Sequence, residues 1–325
     1  MPKQTKGFTI IELLTVMSII IIIMSVLVPA LSRTRRYAKT VTQRAQFHEI
    51  SKGLELFRND HADTLPDSGP ADTAATPVGY CGAMKMCEAL IGQDGMGLHP
   101  SSRFLADATT SGPPANPDIY PFDLCTQMEP TDPLYAPLIP NLRERIKYVD
   151  SENIKAVRLQ DLYTWVITSG TSFYTATQVS FQTPPEKYHN AAISDVFLRA
   201  AINGTYCAAR GGQKAGMPVL YYKADSSKLN HDSITPPVAG GSNTNIYNFD
   251  DNYAITALGC PWEASPPPAG PAHPMQTDPL VFLKAITNTK VTSTPRPHNE
   301  DGYILMSAGW DGLYGTRDDV YNFAD

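Results

Sequence analysis

The sequence predicts an α+β protein, in which a long N-terminal helix packs on an antiparallel β-sheet head with a large loop-rich insertion. Three patterns lead to this prediction. An uncharged apolar run extends from Leu13 to Leu31, and about 20 apolar residues are enough for a helix to cross a membrane. Apolar residues with helical spacing follow that run. Several short runs with the composition of β-strands lie further along the chain.

A short basic leader precedes the apolar run. It contains Lys3 and Lys6 and is followed by Gly7 and Phe8, while Glu12 places one carboxylate at the head of the run. A charge in hydrocarbon costs at least ~2.5–3.5 kcal/mol, so we expect a carboxylate at this position to have a specific function. A cleaved secretory signal is disfavoured, because such signals have a shorter apolar core followed by a small-residue cleavage site.

The helical pattern continues from Ser32 to Asp60. Its apolar residues are spaced by 3, 4 and 3 positions, opposite basic side chains, and they are Phe47, Ile50, Leu54 and Phe57. Pro29 removes one backbone hydrogen bond, so a kink or a locally melted turn is expected there. Alternatively, Pro29 marks the end of the membrane span. A polar stretch with Pro66 beyond it predicts the end of the helix.

The remaining chain predicts short elements separated by loops. Helices are expected over Cys81–Ile91, ending at Gly92, and over Asp195–Ile202. Eight Pro between positions 106 and 140, and a Pro-rich connector at 265–279, predict loops. Strands are predicted at 163–168, 173–181, 218–222, 252–258, 281–286 and 303–307.

Charge is distributed unevenly along the chain. Residues 33–58 carry seven Lys or Arg and two Glu, whereas residues 59–325 carry 17 Lys or Arg and 29 Asp or Glu, a formal balance of −12. An acidic surface argues against nucleic-acid binding, which requires basic side chains. The acids serve either solubility or cation binding.

Five cysteines show no C-x-x-C pair, so a zinc site is not expected. Up to two disulfides are possible in an exported head. Cys81 and Cys87 are close enough for a local bridge, and they are equally compatible with two buried thiols at the start of a helix. The sequence contains no H-E-x-x-H motif and no phosphate-binding loop, so the protein is not expected to be an enzyme.

An acidic, glycine-rich segment lies near the C-terminus. Asp311, Asp318 and Asp319 are interspersed with three glycines after a strand-like run. Hard oxygen ligands on a tight turn suit Ca²⁺, although the spacing differs from an EF-hand. Arg317 lies beside the acids and would partly neutralise them. A glycine-rich surface turn with solvated Asp is the alternative.

The leader, Gly7-Phe8, Glu12 and the apolar run together resemble the signal of type IV prepilins and type II secretion pseudopilins. This resemblance implies that a prepilin peptidase cleaves between Gly7 and Phe8 and methylates Phe8. We expect Glu12 to neutralise the new Phe8 amine of an adjacent subunit, because pairing makes both charges less costly in a low dielectric. A solvated carboxylate at the membrane interface is the alternative. Pro29 is similar in position to a helix-perturbing proline of these subunits.

The two ends of the head also resemble the major pseudopilin. Residues 56–66 are similar to the end of its stem helix, and residues 305–320 are similar to its calcium loop. Carried over by position, this resemblance implies a structural Ca²⁺ with Asp311 and Asp319 as the best ligands. Asp318 and a carbonyl near Leu305 are weaker ones.

The family architecture implies four parts: a cleaved leader (1–7), a transmembrane helix (8–31), a periplasmic stem (32–62) and a pilin-like head (63–325) with an insertion at about 67–240. Basic residues flank both ends of the span, so charge alone does not fix its direction. The resemblance implies a bacterial inner-membrane protein with a cytoplasmic N-terminus and a head in the periplasm or in a surface filament.

The leading hypothesis is a type II secretion pseudopilin that assembles with other pseudopilins or pilins on an inner-membrane platform. The first alternative is a minor type IV pilin or adhesin with an enlarged ligand-binding head. The second alternative is a membrane-anchored periplasmic enzyme.

Overall fold

The computed structural model describes residues 10–69, 80–92, 95, 97–100, 102, 104, 143–150, 154–163, 191–198, 200–201, 214–231, 244–262, 272–291 and 294–323. The chain divides into two compact units, residues 1–42 and 43–325. The Gly7–Phe8 bond, the loop at 106–140, the strand at 173–181 and nearly all of the strand at 163–168 lie outside the described residues.

One helix, α1, spans Ile10–Asp60. An 18-residue window within it has a mean hydropathy of 2.7 with none of its residues buried, so it is long and apolar enough to cross a membrane. Hydroxyl groups in the apolar run bond to the helix itself: Thr15, Ser18 and Ser25 each donate to the carbonyl three residues earlier, at 3.0, 2.7 and 2.7 Å. These polar side chains therefore need no second helix to satisfy them in lipid.

The helix continues through Pro29 without interruption. A locally melted turn was one expectation for this position, and the structure has helix there instead. The pyrrolidine ring supplies no N–H, so the carbonyl of Ser25 loses its usual donor, a deficit of one bond that a long helix tolerates.

The second unit contains a three-stranded antiparallel sheet of order β5–β6–β7. Its strands are β5 (Leu220–Lys223), β6 (Tyr303–Ser307) and β7 (Val320–Tyr321). All five residues of β6 are buried. Two smaller antiparallel pairs join β1 (Lys155–Arg158) to β2 (Ala191–Ser194) and β3 (Ala200–Ala201) to β4 (Lys214–Ala215).

Short helices complete the described part of this unit. They are α2 (Gly82–Ile91), α3 (Leu159–Leu162), a 3₁₀ helix (Phe249–Asn252), α4 (Tyr253–Thr256), α5 (Pro274–Thr277) and α6 (Leu280–Ile286). The predicted α+β class is confirmed: a long N-terminal helix is combined with antiparallel sheets.

The central sheet separates two hydrophobic cores, because alternate residues of a strand point to opposite faces. Tyr221 and Leu305 belong to one core, together with the apolar face of the stem that the sequence predicted: Phe47, Ile50, Leu54 and Phe57. Tyr222 and Ile304 belong to the other core, where the Tyr222 ring lies 4.5 Å from that of Phe282 on α6.

Three predicted elements are wrong. Val281–Ile286 is part of helix α6, and Asn252–Leu258 is mostly helical, with α4 at its centre. A short apolar run does not distinguish a buried strand from a buried helix. Within the predicted helix Asp195–Ile202, residues 195–198 form a turn and Ala200–Ala201 is strand β3. The Asp195 carboxylate accepts the Phe197 N–H at 3.0 Å, a local bond of the kind found in turns.

The predicted helix over Cys81–Ile91 is confirmed, and all ten residues of α2 are buried. Cys81 and Cys87 are buried thiols that are not bridged to each other. Burial raises the pKa of Cys81 to about 11, which makes it a packing residue rather than a nucleophile. Helix α2 lies within the range predicted as an insertion and contributes to both cores; the limits of the insertion stay a prediction.

A matched pair on the stem tests the packing of its apolar face. Leu54 is 0% exposed and Leu56 is 46% exposed. Leu54→Ala should lower the free energy of unfolding by about 2–5 kcal/mol, because it removes buried methyl groups and leaves a cavity. Leu56→Ala should change it by less than about 0.5 kcal/mol. Urea denaturation of the full chain in detergent measures both, and equal effects would contradict the described docking.

Candidate functional sites at the membrane helix and the acidic loop

The first candidate site is the N-terminal end of α1. Glu12 lies in the first helical turn, where the helix dipole favours a carboxylate, and it is exposed. Its apolar neighbours are exposed too: Ile10 is 83% exposed and Ile11 is 74% exposed. The carboxylate therefore stands at the end of a wholly apolar surface. Gly7 and Phe8, the predicted cleavage pair, lie outside the described residues.

The second candidate site is the acidic loop, defined as residues 308–319 between β6 and β7. Its three carboxylates accept hydrogen bonds from backbone N–H groups of the same loop. Asp318 Oδ2 accepts the N–H of Asp311 at 2.9 Å, and Asp311 Oδ1 accepts the N–H of Leu313 at 2.8 Å. Asp319 Oδ2 accepts two backbone N–H groups, from Gly315 at 2.8 Å and Thr316 at 3.1 Å. The structure thus brings the three predicted acids into one loop.

Asp319 has the most perturbed carboxyl group of this loop. Burial raises its pKa to about 8, and the charges of Asp318 and Asp311 add to the rise. Among the described residues, its Oδ1 atom is buried and has no hydrogen-bond donor. A buried carboxylate oxygen without a donor is costly unless a proton or a cation accompanies it.

Two glycines allow the loop to close tightly. Gly309 has φ +65°, and a Cβ atom there would collide with the backbone carbonyl of Asp318. Gly312 has φ +73° and lies against the ring of Trp262. Both positions combine a left-handed backbone with no room for a side chain, so other residues would open the loop.

His273 contacts the acidic loop through Tyr314. The N–H of Tyr314 points to His273 Nδ1 at 3.3 Å, and the two rings lie 4.7 Å apart. The carbonyl of Tyr314 accepts the N–H of Met275 at 3.2 Å, which ties the loop to α5. Burial lowers the pKa of His273 to about 4, so the ring is neutral at physiological pH.

A buried polar chain connects the start of the loop to β2. Ser307 Oγ donates to Asp195 Oδ2 at 2.9 Å and lies 3.3 Å from the N–H of Gly309. Asp195 follows Ser194, the last residue of β2, and the carbonyl of Ser194 accepts from Gln46 Nε2 at 3.0 Å.

A second glutamine of the stem, Gln43, bonds to the residue that follows Asp195. Gln43 Oε1 accepts the N–H of Val196 at 3.0 Å, and Gln43 Nε2 donates to Gln46 Oε1 at 2.9 Å. The sequence interpretation missed this pair. A signal was present, because positions 43 and 46 continue the 3- and 4-residue spacing of the apolar face.

The cation ligands in the acidic loop stay a prediction. Within the described ranges, no three His, Cys, Asp or Glu side chains lie close enough to hold a metal ion by themselves. The carbonyl of Leu305 lies in β6 and accepts the N–H of Asn322 at 3.3 Å, which leaves it one lone pair. A cation bound here would therefore need backbone carbonyls or water beside the carboxylates.

Residues 2–28 match the family described as the prokaryotic N-terminal methylation motif. The chain carries the type IV pilin and pseudopilin signal. The motif covers the leader and most of the apolar run, including Gly7, Phe8 and Glu12, and it implies processing by a prepilin peptidase and assembly with other pilins. No curated protein and no solved structure matches the chain.

The neutral His273 predicts a pH dependence of stability. The unfolded chain takes up a proton on this residue near pH 6.5, whereas the folded protein does so only near pH 4. Stability contributed by His273 should therefore be full above pH 6.5 and be lost as the pH falls towards 4. Burial raises the pKa of Asp251 to about 7. Its contribution to the free energy of unfolding therefore increases as the pH falls through that value, opposite to the contribution of His273.

A comparison with His273→Asn isolates the histidine, since the Asn Oδ1 atom can replace Nδ1 as the acceptor. The difference in unfolding free energy between wild type and variant should shrink between pH 6.5 and 4. Urea denaturation at several pH values measures this difference, and a constant difference would contradict the assignment.

Proposed function

We propose that this protein is a structural pseudopilin of a type II secretion system, which assembles through α1 into a periplasmic filament. The observation that carries the proposal is the methylation motif at residues 2–28, continuous with an exposed apolar helix that has Glu12 in its first turn. A structural role, rather than catalysis, agrees with that motif.

The proposed assembly step is a charge pairing between subunits. Cleavage after Gly7 creates a cationic amine on Phe8, close to the membrane interface. Glu12 of a neighbouring subunit neutralises this amine, because both charges are costly in hydrocarbon and much less so as a pair. The pair would set the axial position of one subunit relative to the next.

The acidic loop supports secretion over a pilus as the destination. It joins the last two strands of the central sheet, and it resembles the calcium loop of major pseudopilins in its order of Gly and Asp. A minor type IV pilin with a ligand-binding head is the competing function, and the experiment below separates the two.

Complementation of a deletion strain tests both the assembly step and the machine. Glu12→Ala should reduce assembly at least tenfold, because the Phe8 amine loses its partner. Glu55→Ala is the matched control, since Glu55 lies on the same helix and is exposed. Cross-linked filament and secreted protein are measured for each variant, together with surface pili.

Mass spectrometry of the mature N-terminus must find methylated Phe8 in both variants, so that a loss of assembly is not a loss of processing. Glu12→Ala that assembles as well as wild type would refute the charge pair. If the deletion strain secretes normally but has no pili, the protein is a pilus subunit rather than a secretion subunit.

We further propose that the acidic loop binds a structural Ca²⁺ ion. Asp311 and Asp319 are the principal ligands, and Asp318 and the Leu305 carbonyl are weaker ones. The buried, donor-free Oδ1 atom of Asp319 supports this proposal. The two neighbouring carboxylates make the loop a concentration of negative charge that a divalent cation would relieve.

Calcium should raise the melting temperature of the full chain, because the ion binds only the folded loop. At a concentration of 100 times Kd the gain in stability is about 2.7 kcal/mol. Asp319→Asn should abolish the shift, whereas Asp63→Asn should retain it, since Asp63 is an 82%-exposed acid outside the loop. Thermal denaturation in EDTA and in CaCl₂ measures this, and an unchanged melting temperature in wild type would contradict the proposal.

A further inference from the structure

A basic collar follows the apolar run of α1. We define it as Arg33, Arg35, Arg36 and Lys39 together with Tyr37. The three arginines are exposed, and Tyr37 is 73% exposed. The sequence of α1 contains no acidic residue between Glu12 and Glu49, so no carboxylate of the same helix lies within four positions of the collar. Pairing along the helix therefore cannot neutralise it.

The position of the collar along the helix sets its depth in a bilayer. The 22 residues from Ile10 to Leu31 span about 33 Å at 1.5 Å per residue, which matches a hydrocarbon core of about 30 Å. Arg33 and Arg35 then lie about 3 and 6 Å beyond Leu31, within the headgroup layer, which extends about 5–7 Å beyond the core on each side, and Arg36 lies at its outer edge. Lipid phosphate groups are the nearest abundant anions at that depth.

The chemistry of the collar suits phosphate. Guanidinium groups bind phosphate oxygens through two parallel N–H donors, and an exposed tyrosine is typical of the membrane–water interface. At 100° per residue, the four cations cover about 160° of the helix circumference. Such a broad arc suits several lipid molecules around the helix better than one flat protein surface.

We propose that the basic collar binds the phosphate groups of anionic phospholipids and so fixes the depth of α1 in the membrane. This binding goes beyond the proposed filament function and does not depend on it, since the unprocessed, unassembled chain has the same collar. An acidic surface on a second copy of the chain is the competing partner, and the depth of the collar favours lipid.

The test uses the full, unprocessed chain in phosphatidylcholine vesicles that contain phosphatidylglycerol. Every protein carries Leu31→Trp as a reporter at the end of the apolar run. Lipids brominated on their acyl chains quench this reporter, and the native tryptophans set the unquenched background. Quenching by brominated phosphatidylglycerol relative to brominated phosphatidylcholine gives the relative association of the two lipids with the helix.

The wild-type collar should favour phosphatidylglycerol by at least about fivefold, given about fivefold for each basic residue near the surface. Arg33→Gln with Arg35→Gln should lower the ratio at least severalfold, because two of the four cations are lost, and 0.5 M salt should bring the ratio close to one. Arg44→Gln with Lys52→Gln is the matched control: both are exposed cations further along α1, and the ratio should be unchanged.

A wild-type ratio near one would overturn the proposal. So would an equal loss in the two double variants, since binding would then follow net charge rather than position. If the ratio is one and Arg33→Gln with Arg35→Gln instead weakens cross-linking between copies of the chain, the partner is protein. Circular dichroism of each variant shows whether the helix is intact.

Discussion

The docking of the second half of α1 onto the central sheet is the interaction on which the rest of the described head depends. Ile50 and Leu54 are fully buried there, and they share one core with Tyr221 and Leu305 of the sheet. At about 25 cal/mol per Å² of apolar surface, burial of such side chains contributes ~1.5–3 kcal/mol each. Without the stem, the part of this core that α1 covers would be exposed to water, while helix α2 would cover the remainder.

Helix α1 suits two environments, lipid and water, because its first part is apolar on all sides and its second part is amphipathic. Up to Leu31 it is apolar all round and exposed, which suits lipid, and its hydroxyl groups bond to their own backbone. From Gln43 onward it is amphipathic. On that part of α1, the buried face contains two glutamines as well as apolar residues. Their hydrogen bonds to residues 194 and 196 fix the position of the helix on the head, in addition to the burial of the apolar side chains.

The hydrogen bonds of Asp195 connect these features physically. Its carboxylate accepts from Ser307, beside the first turn of the acidic loop, while the preceding residue, Ser194, accepts from the stem. Truncation of one buried partner leaves the other unsatisfied, at about 1–3 kcal/mol. A change in the acidic loop is therefore positioned to affect the docking of the stem, through β6 and β2 rather than through solvent.

Local patterns in the sequence predict three features: the α+β class, the membrane-length run with Glu12 at its head, and the apolar face of the stem. These features are local, because a spacing of 3 and 4 residues and a long uncharged apolar stretch are both typical of helices. Three other features depend on tertiary contacts: Val281–Ile286 is a helix, residues 195–198 form a turn, and Gln43 and Gln46 are buried. Short apolar runs and polar side chains take their conformation from partners that are distant in sequence, so no local pattern specifies them.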